Sequence, residues 1–478
     1  MKRGVLFIML IFSLLSCDKD NNDNLDKELH VRDFIWKGLN HWYLWQKDVP
    51  DLADSRFAVS VAQTNVDNTA YVNFLKSYDS PKKLFVNLLN QYQKIDRFSF
   101  ITEDYTELER SFQGISLSSG MNFVLSRYGS GEGVLGVVRY VLPNSSAELQ
   151  GVKRGDIFVA IDGTPLNINN YTKLLFNPSS TMRMDMARAE RINDKINIVE
   201  TGVSVTVTKS EITENPIFIH KVITKGEHKI GYLMYNSFVA NFDKALNEAF
   251  GEFKNQGVTD LVLDLRYNGG GRISSAVYLA SMITGQFGGQ LFAKERWNDK
   301  LQPIIDKSGA SLYFADKIGA TPINSLNLSK VHIITTNRTA SASELVINGL
   351  KAYVDVVQIG ETTLGKNEGS ITVYDSRSGI DKQGINPKHK WAMQPLVLKI
   401  ENARGEGDYT SGLVPSITIA EDVTNFGVLG EESEPLLAKA IQNITGFSGK
   451  SLPTQVVMPV QYLADSKSFN LAENQMYK

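Results

Sequence analysis

The chain has 478 residues, which exceeds the usual size of a single domain and predicts two to four domains. Its formal net charge of -2 lacks the basic excess of nucleic-acid-binding proteins, so we expect no nucleic-acid partner. The six histidines include no H-E-x-x-H spacing, and the single cysteine allows neither an intrachain disulfide nor a cysteine-rich metal site. The sequence therefore predicts a globular protein with no metal or other cofactor.

Residues 1–16 have the composition of a signal peptide. Lys2 and Arg3 precede an apolar run from Val5 to Leu15, which is too short to span a bilayer. The end of the run, Leu14-Leu15-Ser16-Cys17, resembles a bacterial lipobox. The resemblance implies cleavage before Cys17 and lipidation of that residue, and an ordinary signal peptide with an incidental cysteine is the alternative.

Residues 17–28 would then be the lipidated cysteine and a polar tether. The run Asp18–Asn24 has the composition of a solvated linker. It also resembles the surface-export signals of Bacteroidetes lipoproteins, although a plain linker explains it equally well. These resemblances imply an exported lipoprotein of the outer membrane, with the membrane as a partner through the lipid anchor. The membrane face, periplasmic or external, stays open.

Residues 29–108 are predicted to form an N-terminal helical region. Apolar residues recur at helical spacing from Val31 to Trp45, and Pro50 and Asp51 end this pattern. The stretch Leu75–Leu89, with Pro81 near a helix start, predicts one or two further helices. We expect the many aromatic residues here to lie in the core.

Residues 109–210 change to short apolar runs separated by glycines, which predicts a β-rich domain. The runs Val134–Val141 and Ile157–Ile161 are typical of strands. Between them Pro143–Leu149 predicts a short capped helix, and Asp162-Gly163 predicts a hairpin turn.

This β-rich domain resembles a PDZ domain. The resemblance rests on Gly114-Ile115-Ser116, Ser146-Ala147-Glu148, Gly151–Ile157 and Ile161-Asp162-Gly163. PDZ domains add a peptide as a strand at a sheet edge and capture its terminal carboxylate in a backbone loop. The resemblance implies that this loop comprises Gln113, Gly114, Ile115, Ser116 and Leu117. A module that only spaces or gates the next domain is the alternative.

Residues 211–449 alternate strands with helices, which indicates an α/β layer with parallel strands. The predicted elements are the strands Ile230–Tyr235, Leu261–Leu265, Val331–Thr335 and Val356–Ile359 and the helices Asp243–Lys254, Ile273–Ile283 and Ser341–Tyr353. Residues 450–478 are polar and weakly patterned, and we predict only a C-terminal tail there.

Three segments of this layer are predicted to meet at one sheet edge. The helix that begins at Ser341 runs back about 20 Å, and the next strand then runs forward towards Lys366. The glycine loop 269–271 follows the strand Leu261–Leu265 at the same edge. In open α/β sheets this carboxyl edge is where ligands bind.

A serine and a lysine at this edge suggest acyl-transfer chemistry. A serine hydroxyl needs a base, and a buried lysine can serve because desolvation lowers its pKa. Backbone N–H groups of the glycine loop and of Ala342 could bind the developing oxyanion. A purely structural interpretation is also open, because Ser341-Ala342-Ser343-Glu344 is a capping box and the lysine could lie on the surface.

The motifs of these segments resemble the C-terminal processing peptidases. The resemblance rests on Ala340–Glu344, on Gly365-Lys366 with the lysine 25 residues after Ser341, and on Asp264–Arg266 with Gly270-Gly271. It implies an α/β multidomain protein in which a PDZ domain precedes a protease core related to the ClpP/crotonase fold. Carried over by residue, Ser341 is the nucleophile, Lys366 is the base, and the N–H groups of Gly270 and Ala342 form the oxyanion hole.

Departures from the family pattern leave the third catalytic residue open. Ala352 stands eleven positions after the nucleophile, where many members have aspartate, and Ser370 stands four positions after the lysine, where many have glutamine. Thr339 replaces a frequent serine. Ser370 is the candidate third residue.

The sequence thus predicts a serine endopeptidase that cleaves unfolded or C-terminal segments of envelope or external proteins. Two alternatives remain: a non-catalytic lipoprotein of the same fold that binds peptides or hydrophobic ligands, and an esterase that uses the same residues. The oligomeric state is not predicted.

Overall fold

The computed structural model describes residues 27–57, 68–128, 131–177, 179–192, 195–309, 311–422, 425–446, 460–468, 470 and 473–478. The predicted signal peptide, the lipidation site Cys17 and most of the tether lie outside the described residues. Within the described ranges, no helix combines the length and the apolar character that crossing a bilayer requires.

The predicted N-terminal helices are present. The α-helices are Lys27–Trp42, Thr69–Lys76, Pro81–Asn87 and Tyr105–Phe112, with 3-10 turns at Gln46–Asp48 and Pro50–Leu52. The third helix begins as predicted at Pro81, because the missing N–H of proline is not needed there and the Ser80 hydroxyl accepts the N–H of Lys83 at 3.2 Å. The first helix ends at Trp42, earlier than the predicted Trp45.

The N-terminal helices share one apolar core with the α/β layer. Ile35 and Leu39 of the first helix are fully buried and belong to the same packed cluster as Phe292 and Leu398. The strand Phe100–Thr102 joins Ala392–Gln394 and Val373–Tyr374 in a three-stranded sheet. Burial of apolar area therefore holds this region to the α/β layer.

The β-rich middle region is built on a seven-stranded sheet. Its strands, in spatial order, are Val460–Asp465, Met121–Tyr128, Val134–Val141, Ile157–Ile161, Thr181–Ile192 and Lys195–Thr208, with Thr164–Pro165 paired to Ile157–Ile161. The helices Ser146–Leu149 and Tyr171–Leu175 pack beside the sheet. The predicted strands and short helix are thus confirmed, whereas the relation to PDZ domains stays a prediction.

The hairpin turn of this region follows its sequence signal. Asp162 and Gly163 both have positive φ, 50° and 77°, and Ile161 pairs with Thr164 across them. Two consecutive positive φ angles fit the twist of a two-residue hairpin, and Asp-Gly tolerates them.

The α/β layer contains a six-stranded sheet. Its spatial order is Ile217–Lys225, His228–Tyr235, Asp260–Asp264, Lys330–Thr335, Asp355–Gly360 and Ile417–Thr418. All neighbouring pairs except the first are parallel, as predicted. The helices are Asp243–Asn255, Ile273–Thr284, Gln302–Ser308, Ala342–Lys351 and Pro435–Thr445, with a 3-10 turn at Ala240–Phe242.

A second six-stranded sheet was not predicted. Its order is Gly271–Arg272, Met476–Tyr477, Glu368–Ser370, Leu396–Asn402, Leu291–Trp297 and Leu312–Tyr313. Two-stranded pairings at Lys317–Ile318 with Thr321–Pro322 and at Ile115–Ser118 with Ser210–Thr213 complete the strands of the described residues. The architecture is a mixed α/β fold, and kinship with the ClpP/crotonase fold stays a prediction.

A buried ion cluster lies at the end of the strand Asp260–Asp264. The fully buried guanidinium of Arg266 binds the carboxylate of Asp264 at 2.7 Å and that of Glu434 at 2.7 Å. Arg154 of the middle region and Arg266 both reach Glu421, at 2.9 and 3.1 Å. The Asp-Leu-Arg motif therefore serves as a structural brace between the layers.

Candidate active site

Three loops meet at the carboxyl edge of the parallel sheet. The N–H of Ala340 donates to the carbonyl of Asn268 at 3.1 Å, and the N–H of Leu364 donates to the carbonyl of Thr339 at 2.9 Å. These bonds join the glycine loop, the start of the helix Ala342–Lys351 and the loop that leads to Lys366. The predicted convergence of the three segments is confirmed.

Ser341 is held in a strained turn between a strand and a helix. Its φ of 65° and ψ of -115° lie in a region that costs a non-glycine residue about 1–3 kcal/mol. The side chain is fully buried, and its hydroxyl has no hydrogen-bond partner among the described residues. In serine hydrolases of the α/β class, a strained turn of this kind presents the nucleophile.

The buried carboxylate of Glu344 ties the serine segment to the lysine segment. One of its oxygens accepts the N–H groups of Ser341 at 2.7 Å and of Lys366 at 2.8 Å. Its other oxygen accepts the Thr363 hydroxyl at 2.5 Å and the Gly365 N–H at 2.8 Å. Burial raises the pKa of Glu344, although these four bonds oppose the rise. Glu344 thus makes one half of a capping box, while the Ser341 hydroxyl does not make the other.

Lys366 is fully buried, and burial lowers its pKa to about 7. Its Nζ lies 4.6 Å from the centroid of the Phe98 ring. The same atom donates hydrogen bonds to the carbonyl of Asn474 at 2.6 Å and to the side-chain oxygen of Gln475 at 3.1 Å. A lysine in this setting is neutral in a large fraction of molecules near neutral pH.

The glycine loop faces Ser341 at very close range. A Cβ on Gly270 would lie 2.7 Å from the Ser341 Cβ and 3.0 Å from the Ala342 nitrogen, so only glycine fits. The Gly270 N–H, predicted for the oxyanion hole, donates to the Asn268 side chain at 2.9 Å. The Gly271 N–H instead donates a hydrogen bond to the carbonyl of Gln475 at 2.6 Å.

Ser370 lies beside the site, and among the described residues no direct hydrogen bond joins it to Lys366. Its hydroxyl donates towards the carbonyl of Met476 at 3.2 Å and accepts the side-chain N–H of Gln394 at 3.0 Å. The fully buried Gln394 was missed by the sequence analysis, because it comes from a short strand far along the chain. Ala352 follows the far end of the helix Ala342–Lys351 and takes no part in the site.

Residues of the N-terminal region form a roof over Lys366. Phe98 covers the ammonium, and the Arg97 guanidinium donates to the carbonyls of Gly365 and Thr410. Asp96 is buried and accepts the Tyr43 hydroxyl at 2.8 Å. The sequence analysis missed this roof, because no pattern links residues 96–98 to a lysine some 270 positions later.

The predicted carboxylate-binding loop is already paired. Ile115 to Ser118 pair with Ser210–Thr213, and the carbonyl of Gly114 accepts the N–H of Glu214 at 3.0 Å. Leu117 is an exposed apolar side chain, and Gln113 follows the helix Tyr105–Phe112. The structure therefore places this loop in a two-stranded link, and peptide binding there stays a prediction.

Two peptidase family models and several curated peptidases are similar to this chain. The model of peptidase family S41 matches residues 229–387, and that of the peptidase S41 N-terminal domain matches residues 30–100. A chloroplastic C-terminal processing peptidase of Tetradesmus obliquus is 27% identical over 342 residues, which cover 65% of this chain and 67% of the relative. A carboxyl-terminal-processing protease of Picosynechococcus is 24% identical over 356 residues, covering 73% and 78%.

A solved structure agrees with the fold. The crystal structure described as an S41 protease of Bacteroides fragilis matches with a TM-score of 0.65 and 26% identity, and the match covers 87% of this chain and 98% of that one. The matched family models include the glycine loop, Ser341 and Lys366. This chain belongs to peptidase family S41, the C-terminal processing peptidases, and is a serine-type peptidase.

Proposed function

We propose that this peptidase is an endopeptidase in which Ser341 Oγ is the nucleophile and Lys366 Nζ is the general base. The observation that carries the proposal is that one oxygen of Glu344 accepts the backbone N–H groups of both the strained Ser341 and the fully buried Lys366. Burial lowers the pKa of this lysine to about 7. Among the described residues the Lys366 ammonium forms no salt bridge. Loss of its proton therefore breaks no ion pair. A base with this pKa suits catalysis at neutral pH.

The neutral Nζ takes the proton of the Ser341 hydroxyl as Oγ attacks the carbonyl carbon of a peptide bond. The new C–O bond converts the carbonyl oxygen into an oxyanion, which backbone N–H groups of the 270–271 loop and of Ala342 stabilise. The Lys366 ammonium then protonates the leaving amine. Water hydrolyses the acyl-enzyme by the same steps, which restores the Ser341 hydroxyl.

The substrate proposal follows the fold and the resemblances. We expect the enzyme to cut unfolded or C-terminal segments of envelope or external proteins, because a cleft between two short strands accepts only an extended chain. The middle region is proposed to act as a PDZ-like module, and Cys17 as the site of a lipid anchor in the outer membrane. Metabolic labelling with a fatty-acid probe, lost on Cys17→Ala, tests the anchor.

Substitution of the two residues tests the mechanism. Ser341→Ala and Lys366→Met should each abolish cleavage of an unstructured polypeptide such as casein and leave the thermal transition in place. Ser77→Ala is the control, because its hydroxyl is exposed and bonds only within its own turn. Activity in a folded Ser341→Ala protein would refute the assignment.

A fluorophosphonate probe separates the peptidase from the alternatives. Labelling that requires Ser341 supports the nucleophile, whereas saturable peptide binding without labelling would indicate a non-catalytic binding protein. Comparison of matched peptide and ester substrates tests the esterase alternative, which predicts turnover of the ester alone.

A further inference from the structure

The last described residues of the chain lie inside the active site as a β-strand. Met476 pairs with Gly271 and Tyr477 pairs with both Arg272 and Ser370, in parallel register on each side. The carbonyl of Gln475 accepts the Gly271 N–H at 2.6 Å, and the Lys478 N–H donates to the carbonyl of Ser370 at 3.3 Å. Residues 473–478, which we call the cleft segment, therefore bind between Gly271–Arg272 and Glu368–Ser370 in the way an extended peptide does.

The cleft segment binds the proposed base and lies beside the proposed nucleophile. Lys366 Nζ donates to Asn474 and Gln475, and the Ser341 hydroxyl has no hydrogen-bond partner among the described residues. A Cβ on Gly270 would lie 2.7 Å from the Gln475 carbonyl oxygen and 2.7 Å from the Ser341 Cβ. The Gln475 carbonyl thus stands beside the serine, on the N–H of the glycine loop.

Side chains of the cleft segment fill defined places on its C-terminal side. The Tyr477 ring stacks on the Phe112 ring at a centroid distance of 3.9 Å, and Met476 is fully buried. The Lys478 ammonium binds the buried carboxylate of Glu295 at 2.8 Å. The placement is therefore fixed by side chains as well as by the backbone.

A preceding segment, residues 460–468, fastens the cleft segment to the molecule. Val460–Asp465 adds an antiparallel edge strand to Met121–Tyr128, and Ala464 packs in the apolar core of the middle region. Asp465 is buried between Arg139 at 3.3 Å and Arg338 at 2.8 Å. Arg338 precedes the proposed nucleophile by three residues. This ion cluster therefore anchors residues 460–468, which we call the strap, next to the active site.

We propose that residues 473–478 are a built-in occupant of the substrate cleft, held there by the strap 460–468, and that they must leave before an external polypeptide can bind. This inference rests on the proposed peptidase mechanism. It also defines the cleft: a substrate binds as a strand in the same direction, with an aromatic side chain on Phe112 and a cation at Glu295 on the leaving-group side.

The geometry excludes simultaneous binding. Met476–Tyr477 stands between Gly271–Arg272 and Glu368–Ser370 and uses the facing hydrogen-bonding edges of both. Strands in a sheet lie about 4.8 Å apart, so the slot holds one chain only. The cleft segment therefore competes directly with substrate, and the strap sets its local concentration.

Release of the strap tests the proposal. Asp465→Asn should weaken the ion cluster, and Tyr477→Ala should remove the stack on Phe112; we expect each to raise the fluorophosphonate labelling rate and kcat/KM on an unfolded polypeptide by about tenfold or more. Asp299→Asn, which removes an exposed ion pair with Lys47, is the matched control and should change neither. Two folded variants with wild-type rates would overturn the proposal.

A binding measurement does not depend on catalysis. A fluorescent peptide with the sequence of residues 473–478 should bind the Ser341→Ala, Asp465→Asn double variant at least about tenfold more tightly than Ser341→Ala alone, because the free cleft is then more populated. Replacement of the peptide's tyrosine by alanine should weaken binding. Equal affinity for both proteins would refute the cleft occupant. Tight binding to the double variant without labelling or turnover in any folded protein would refute the mechanism alone.

Discussion

The backbone N–H of Lys366 donates a 2.8 Å hydrogen bond to a carboxylate oxygen of Glu344, and the N–H of Ser341 shares that oxygen. The proposed base and nucleophile are thereby fixed to one atom, although 25 residues separate them in sequence. This carboxylate, together with the backbone bond from Leu364 to Thr339, sets their relative position, and among the described residues no hydrogen bond joins their side chains.

Glu344→Gln should impair catalysis and stability together. An amide group would turn N–H donors towards some of the four groups that now donate to the carboxylate, and each unpaired buried donor costs about 1–3 kcal/mol. We expect a lower free energy of unfolding and a fall in kcat that exceeds the change in KM. Denaturant unfolding and steady-state kinetics measure both. Glu103→Gln, at an exposed ion pair with Lys82, should change neither, and an unchanged kcat in Glu344→Gln would contradict the positioning role.

Activity should rise with pH through about 7. Burial, with a smaller contribution from Arg97, lowers the pKa of Lys366 to about 7 against the opposing effects of Glu368, Asp96 and Glu344. Lys366 is protonated below this pH and cannot accept the serine proton, whereas above it the neutral base predominates. The profile of kcat/KM should be measured in the Asp465→Asn variant, because burial also raises the pKa of Glu473 in the cleft segment to about 7. A midpoint near 10 would contradict a desolvated base.

Phe98→Ala should move that midpoint upwards. Removal of the ring at 4.6 Å from Nζ admits water, which favours the charged ammonium and raises the pKa of Lys366. The expected result is lower activity at pH 7 with recovery at higher pH. Tyr92→Ala, at an exposed aromatic residue of the same region, is the control. Loss of activity without a shift of the midpoint would assign Phe98 a purely structural role.

Gly270→Ala should abolish activity. The new Cβ would meet both the Ser341 Cβ and the Gln475 oxygen at 2.7 Å, and φ at this position is 111°. Gly202→Ala separates the two causes, since φ there is 73° but no atom lies within 4 Å of the added Cβ. The control should lose about 1 kcal/mol of stability and keep its activity. An active Gly270→Ala enzyme would show that the loop moves away from Ser341.

Arg266→Met should destabilise the fold by about 3–5 kcal/mol, because it leaves the carboxylates of Asp264 and Glu434 buried without their partner. Arg296→Met removes an exposed pair with Glu401 and should cost about 0–1 kcal/mol. Thermal or denaturant unfolding measures both. The pH midpoint of any remaining activity should stay unchanged, since Arg266 does not contact Lys366.

Much of the α/β layer could be predicted from the sequence. Strands such as Lys330–Thr335 and helices such as Ala342–Lys351 carry their periodicity locally, and the handedness of β-α-β units brings Ser341 and Lys366 to one edge. The predicted boundaries differ by one or two residues at most of these ends, because helix and strand ends depend on packing.

The rest of the site could not be predicted because it is made by distant contacts. Glu368–Ser370 and Met476–Tyr477 are too short to show any periodicity, and their pairing is decided by what packs around them. Phe98 and Gln394 carry no local signal of their role. The oxyanion role of Gly270 and Ala342 stays a prediction. The Gly270 N–H donates to the Asn268 side chain, and a sequence pattern does not give the direction of a backbone N–H.

Because residues 96–98 form the roof over Lys366, the proposed activity depends on the N-terminal region being folded against the α/β layer. Phe98 belongs to the N-terminal helical region, and that region shares its core with the α/β layer. A molecule in which these helices have detached would expose Lys366 to water, so its amine would be almost wholly protonated at neutral pH. Damaged or incompletely folded molecules would then lack a functional general base and be inactive. Other proteins would thereby be protected from cleavage by a misfolded peptidase.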